Sequence, residues 1–142
     1  MGDEIIHSLR SQAAKEPYAL KLGLRVVDLE PGRAVIEMTP GKDLRNIFGM
    51  THGGAIFSVI DEAFELSCNA HGTVAVALSM TITYHTPPGP RSTLRAESRE
   101  VHRSRKTGTY EIRVTDENGL LIASCQALAY RKKDALPFLE EG

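Results

Sequence analysis

The chain has 142 residues, 42% of them apolar, with 17 Lys and Arg against 18 Asp and Glu. That length holds one well-buried domain and not two of ordinary size, so residues 1–142 read as a single domain. A formal net charge of −1 excludes a global pull toward nucleic acid or an acidic membrane, and any anion site must be local.

The first residues, MGDEIIHSLRSQ, carry acids where a signal peptide carries basic groups, and no apolar run approaches the ~18 residues of a membrane span. The expectation is a cytoplasmic protein with neither membrane nor nucleic acid as partner. Residues 3–15 predict a helix ended by Pro17, making 1–18 an N-terminal helix and lead-in. LRVVDLE (24–30) and AVIEMT (34–39) flank Pro31-Gly32-Arg33 and predict a hairpin. PGKDLRNIFGM (40–50) is loop by composition.

After Gly72, residues 74–86 alternate Met80, Ile82 and Tyr84 against Thr81, Thr83 and His85, the period of a strand with one buried face. Three prolines between 87 and 90 end it. Residues 92–102 and 109–115 alternate in the same way, and Asn118-Gly119 marks a hairpin into LLIASCQALAY (120–130). RKKDALPFLEEG (131–142) reads as a polar, loosely held tail. The fold class is therefore α+β, with one long helix set among about six antiparallel strands that could wrap it.

A helix from Ala55 to about Asn69 projects Ala55, Ile56, Phe57, Val59, Ile60, Ala63, Phe64, Leu66 and Cys68 over more than half its circumference. Ser58, Asp61, Glu62, Glu65 and Asn69 occupy the remaining arc. Asp61 stands at the edge of that arc, where a carboxylate is partly desolvated. The helix is preceded by His52-Gly53-Gly54. Paired glycines admit a ligand close to the backbone, and the unpaired N–H groups of a first helical turn favour an anion or oxyanion. Seven residues of helix rise about 10 Å, so an Asp61 carboxylate falls several ångströms short of a carbonyl held at Gly54 of its own chain. Reacting groups must come within ~3 Å, so if both residues act on one carbonyl they come from different subunits.

The string Asn46, Gly49, His52, Gly53, Gly54, followed by Asp61, resembles the signature of the hotdog-fold acyl-CoA thioesterases of the phenylacetate-degradation (PaaI-like) type. LSMTITYHTP resembles that family's central strand, and the order of elements from about Leu20 to Tyr130 is similar. The resemblance implies a helix wrapped by an antiparallel sheet, two chains paired sheet edge to sheet edge with active sites between them, and dimers that usually pair into tetramers. It also implies hydrolysis of an acyl-CoA thioester, with aryl-acyl or medium-chain acyl groups as the substrate class and coenzyme A present only as part of the substrate.

By that resemblance, the Gly54 N–H polarises the thioester carbonyl and Asp61 is general base or nucleophile. Asn46 helps position carbonyl or water, and His52 lies near the same carbonyl or supports the loop. Gly53 borders the substrate, and Ser79 or Ala77 stands where some relatives carry a water-positioning hydroxyl. Glu65, one helical turn after Asp61, lines the acyl pocket, touches water or simply belongs to a solvated helix face. In the basic turn His102–Thr107, Arg103, Arg105 and Lys106 can hold coenzyme A phosphates or simply be solvated.

No Ser-His-Asp or Cys-His arrangement is visible, and the five histidines fall in no metal-binding pattern, so no metal or cofactor is expected. His71 reads as a cap or exposed turn, and Cys68 and Cys125 as buried free thiols. Two alternatives compete: a hotdog hydratase or dehydratase, and a non-catalytic acyl-CoA binding module. The first needs a paired acid and histidine not found beside Asp61. The second needs neither Asp61 nor Asn46.

Overall fold

A computed structural model describes residues 2–139. The elements are α1 (Gly2–Ala14), α2 (Pro17–Leu22), β1 (Arg25–Glu30), β2 (Arg33–Met38), a 3-10 turn (Lys42–Leu44), α3 (Gly53–Asn69), β3 (Thr73–Tyr84), β4 (Leu94–Arg103), β5 (Thr107–Thr115) and β6 (Leu121–Ala135). The six strands form one antiparallel sheet in the order β1-β2-β4-β5-β6-β3, and α3 packs against its concave side. This is the wrapped helix that the sequence resemblance implies. None of the described helices is long and apolar enough to cross a membrane.

Period-two burial places Leu94, Ala96 and Ser98 of β4 and Tyr110, Ile112 and Val114 of β5 on the inner face. They meet Val59, Ile60, Ala63 and Phe64 of α3, all essentially without solvent contact. Phe64 and Tyr110 meet edge to face, with ring centroids 5.4 Å apart and planes at 70°. Both thiols are buried, which pushes Cys68 up to about 12 and Cys125 up to about 11.

Several expectations need correction. Pro17 does not only end α1; it opens α2 at a position where a missing N–H costs nothing. Residues 131–135, expected in a polar tail, continue β6, because β3 begins at Thr73 and supplies partners as far as Ala135. Leu136 is buried beyond it, its N–H donating to Gly72 O at 3.2 Å, while residues 140–142 of the expected tail lie outside the described residues. His71 is neither cap nor exposed turn. Its Nε2 meets Glu100 Oε1 at 2.9 Å, Arg103 contacts its Nδ1, and burial holds its pKa below the ordinary value.

The polar arc drawn on α3 is also too wide. Ser58, Glu62 and Asn69 are buried and Phe57 is 37% exposed, because α1 and α2 fold over a side of the helix that the sheet leaves open. Asn69 shows the consequence for a buried amide. Its Oδ1 accepts the Ala75 N–H at 2.9 Å, and its Nδ2 donates to Ala75 O at 3.1 Å and Glu65 O at 2.8 Å, fastening the helix end to β3.

Phe64→Ala empties the centre of this core and should destabilise the protein by about 3–5 kcal/mol. The shift of the denaturant midpoint at unchanged slope measures it.

Candidate active site

Asn46 organises the loop that leads into α3. Its Oδ1 accepts the N–H groups of Phe48 and Met50 at 2.9 and 3.1 Å, and its own N–H donates to Met50 O at 2.7 Å. Gly49 takes φ +77°, a left-handed conformation that side chains disfavour. With Oδ1 committed to the loop, Asn46 Nδ2 remains its free donor among the described residues.

The loop delivers His52 to the N-cap of α3, where its Nδ1 accepts the Gly54 N–H at 2.7 Å. A donor therefore already occupies the Nδ1 lone pair. A Cβ at Gly54 would lie 2.9 Å from His52 Nδ1, so glycine here makes room for the capping ring. The backbone N–H assigned to a substrate carbonyl is thus engaged by the chain's own histidine. The Gly53 N–H has no acceptor among the described residues, and Gly53 O accepts from the Tyr84 hydroxyl at 3.2 Å.

Gly54 and Asp61 line different clefts of one chain. His52 and Gly54 line a cleft of about 200 Å³ with Arg45 and Leu44. Asp61 lines another, of about 350 Å³, with Glu16, Glu62, Glu65, Cys68 and Ala77. Tyr18 and Ser58 border both. Ser58 Oγ donates to Gly54 O at 2.8 Å, which leaves it to accept from the Tyr18 hydroxyl 2.7 Å away, and this bridge is the wall between the clefts. Of the two candidate water-positioning sites, Ala77 lines the Asp61 cleft and Ser79 does not. A β-bulge at Leu78 separates them.

Asp61 is half-buried. Burial, and then the charge of Glu16, raise its pKa above the ordinary carboxylate value. Glu62, next in sequence, and Glu65, one helical turn on, converge with Glu16 of the α1–α2 junction, one carboxyl oxygen from each lying within 4.8 Å of the other two. Glu62 is only 5% exposed, and no Lys or Arg among the described residues pairs with any of the three. Burial first, and Glu16 second, push both Glu62 and Glu65 upward. Glu65 keeps an open edge to the cleft while its other side is crowded. Glu16, Tyr18 and Glu62 were missed from the sequence. The acids adjoining Asp61 were visible, but nothing local places the α1–α2 junction against them.

Arg103, Arg105 and Lys106 lie on the exposed β4–β5 turn, which Arg131 braces by donating to Ser104 O at 2.6 Å and Arg105 O at 3.3 Å. Arg103 is spent on His71, while Arg105 and Lys106 have no side-chain partner among the described residues. The turn stands at the C-terminal end of α3, and Gly54 to Asn69 alone spans about 22 Å. Within one chain Arg103, Arg105 and Lys106 line neither the Gly54 cleft nor the Asp61 cleft.

Comparison with known proteins places this geometry in a family. The family model described as the thioesterase superfamily matches residues 48–123, from the loop before α3 into β6. The chain is 32% identical over 113 residues to the acyl-coenzyme A thioesterase PaaI of Escherichia coli K12, covering 80% of this chain and 81% of that protein. The solved E. coli PaaI protein from the phenylacetic acid degradation operon superposes with a TM-score of 0.89 at 27% identity, covering 95% of this chain and 98% of the other. The structure of smu.793 from Streptococcus mutans UA159 bound to acetyl-CoA superposes at 0.76 with 25% identity, over 80% of this chain and 91% of that one. A family model that matches more than half of the chain, and matches it where the capped helix and its acid lie, leaves one conclusion: the protein is a member of the thioesterase superfamily, with the hotdog fold.

Proposed function

We propose that the protein hydrolyses acyl-CoA thioesters in the cytoplasm, at sites completed between two subunits. The observation that carries this is the half-buried Asp61 carboxyl, facing a cleft walled off from the capped helix N-terminus of the same chain. A thioester needs an ionised group to attack or to activate water, and donors aimed at the developing oxyanion. Asp61 supplies the first as base or nucleophile. The N–H groups of Gly53 and Gly54 supply the second.

His52 fits this scheme as a placeholder. Its Nδ1 holds the Gly54 N–H until a carbonyl oxygen takes that hydrogen bond, and its exposed ring has space to turn aside. Asn46 Nδ2 is then a further donor toward carbonyl or water. The acetyl-CoA carried by the S. mutans structure supports coenzyme A as the leaving group. Arg105 and Lys106, exposed and without a side-chain partner among the described residues, are the phosphate contacts of this reading.

A second copy is called for by β3. This twelve-residue strand closes one end of the sheet, pairs only with β6, and exposes Val76 and Leu78 by 43% and 56%. Such an edge is a template for another strand. Ile47 and Phe48, 92% and 76% exposed on the Asn46 loop, supply apolar surface to cover the neighbour's cleft. Two such dimers form the tetramer.

Asp61→Asn keeps the shape of the side chain and should lower kcat by a factor of roughly a hundred or more with KM little changed. An unchanged kcat, followed by thiol release from acyl-CoA, would remove Asp61 from the chemistry. Mixing Asp61→Asn chains with Gly54→Pro chains, each inactive alone, should restore one working site per mixed dimer. A site contained in one chain gives no rescue. Asp61 acts as its carboxylate, so activity falls as pH drops through its raised pKa, and the acid limb of kcat/KM lies above the ordinary aspartate value of 3.8. Glu16→Gln removes a charge that raises it and should move that limb to lower pH. An unmoved limb would detach Glu16 from Asp61.

A further inference from the structure

A second cavity opens beside the Asp61 cleft. It measures about 510 Å³ and lies between α1, α3, the start of β3 and residues 136–138. Its walls are apolar, with Leu9 and Ala13 from α1, Leu66 from α3, Val74 from β3, and Leu136 and Phe138 from the chain after β6. Glu16, Glu65, Ala75 and Val76 line both this cavity and the Asp61 cleft, so the two spaces adjoin across the carboxyl cluster. Along α3 the path runs from Asp61 to Glu65 and on to Asn69. These steps of one and two turns are about 6 and 12 Å.

We infer that the acyl group of the substrate lies along this path, from Asp61 past Glu65 into the apolar cavity, and that the cavity selects elongated, uncharged acyl groups. This rests on the thioesterase reading above and deepens it. An extended chain with C–C bonds of ~1.5 Å advances by about 1.3 Å per carbon, so 12 Å accommodates about nine carbons. Each methylene taken from water into the cavity contributes about 0.8 kcal/mol.

Charge sets the second half of the selection. Asp61, Glu16, Glu62 and Glu65 surround the first part of the path, and Lys15 on the rim is the one cation among the described residues lining either space. A carboxylate on the fifth carbon of an acyl group arrives beside Glu65 and meets like charge in a partly desolvated neck. A neutral chain meets no such penalty. The N-terminal helices thereby become part of the specificity pocket: α1 supplies the far wall and the α1–α2 junction supplies Glu16 at the neck.

The test compares acetyl-, butyryl-, valeryl-, glutaryl-, decanoyl- and tetradecanoyl-CoA on the intact protein, with thiol release as readout. Decanoyl-CoA should exceed butyryl-CoA in kcat/KM by roughly tenfold or more, and valeryl-CoA should exceed glutaryl-CoA by a similar factor. Val74→Phe fills the cavity and should cut decanoyl-CoA turnover roughly tenfold while butyryl-CoA, too short to reach it, changes by less than about twofold. Phe138→Ala opens the far end and should move the chain-length optimum upward toward tetradecanoyl-CoA, which keeps the inference testable if the filled variant does not fold. Equal effects of Val74→Phe on short and long chains, or an optimum unmoved by Phe138→Ala, would overturn the cavity assignment. Glutaryl-CoA hydrolysed as fast as valeryl-CoA would overturn the charge selection. Hydrolysis of butyryl-CoA without chain-length preference sinks this inference alone. Wild-type protein that hydrolyses none of the six thioesters sinks the thioesterase reading itself.

Discussion

Between Gly53 and Asn69 the helix α3 carries a series of polar side chains into a space from which the sheet and the N-terminal helices exclude most water. A buried polar group must find a partner or change its protonation, and each residue of α3 meets this constraint in its own way. Ser67 donates to Phe64 O and shares a 2.8 Å hydrogen bond with Ser98 of β4. Ser58 links Gly54 O to Tyr18, and Asn69 fastens the helix end to β3. These contacts make the helix a rigid reference for the sheet around it.

Asp61, Glu62 and Glu65 have no such donors, and chemistry becomes possible there. A carboxyl that lacks a hydrogen-bond donor and is partly shielded from water is a stronger base than one in bulk solvent, because desolvation disfavours its charged form. The wrap of the sheet stops short of this stretch of helix. The N-terminal segment closes part of the gap and brings Glu16, which adds charge where a neutral or cationic residue would have relieved it. The two clefts and the apolar cavity all lie along this incompletely covered side of α3.

The helix N-terminus solves the opposite problem. Its N–H groups are donors in excess, and His52 caps one of them. Gly54 and Asp61 thus sit on one helix but line different clefts, separated by helical rise and the Tyr18–Ser58 bridge. The proposed pairing of two copies answers that separation, and β3 stands at one end of the sheet with β6 as its neighbour.

Much of this was legible from residues alone. Period-two alternation located β4 and β5 and their buried faces. The His-Gly-Gly triplet with Asp61 seven residues on carried the family, and the helical rise between them already required separate spaces for donor and acid. Tertiary structure decided what depends on distant parts of the chain meeting. Glu62 and Asn69 read as solvated because helical projection sees only the helix; α1, α2 and β3 cover them. His71 read as a turn residue because Glu100 and Arg103 stand some thirty positions away. Residues 131–135 read as tail because their partners begin at Thr73. Local sequence determines the period and the motif, since those depend on neighbours a few residues apart. The carboxyl cluster, the capping histidine and the apolar cavity depend on which surfaces the folded chain presses together, and only the fold decides that.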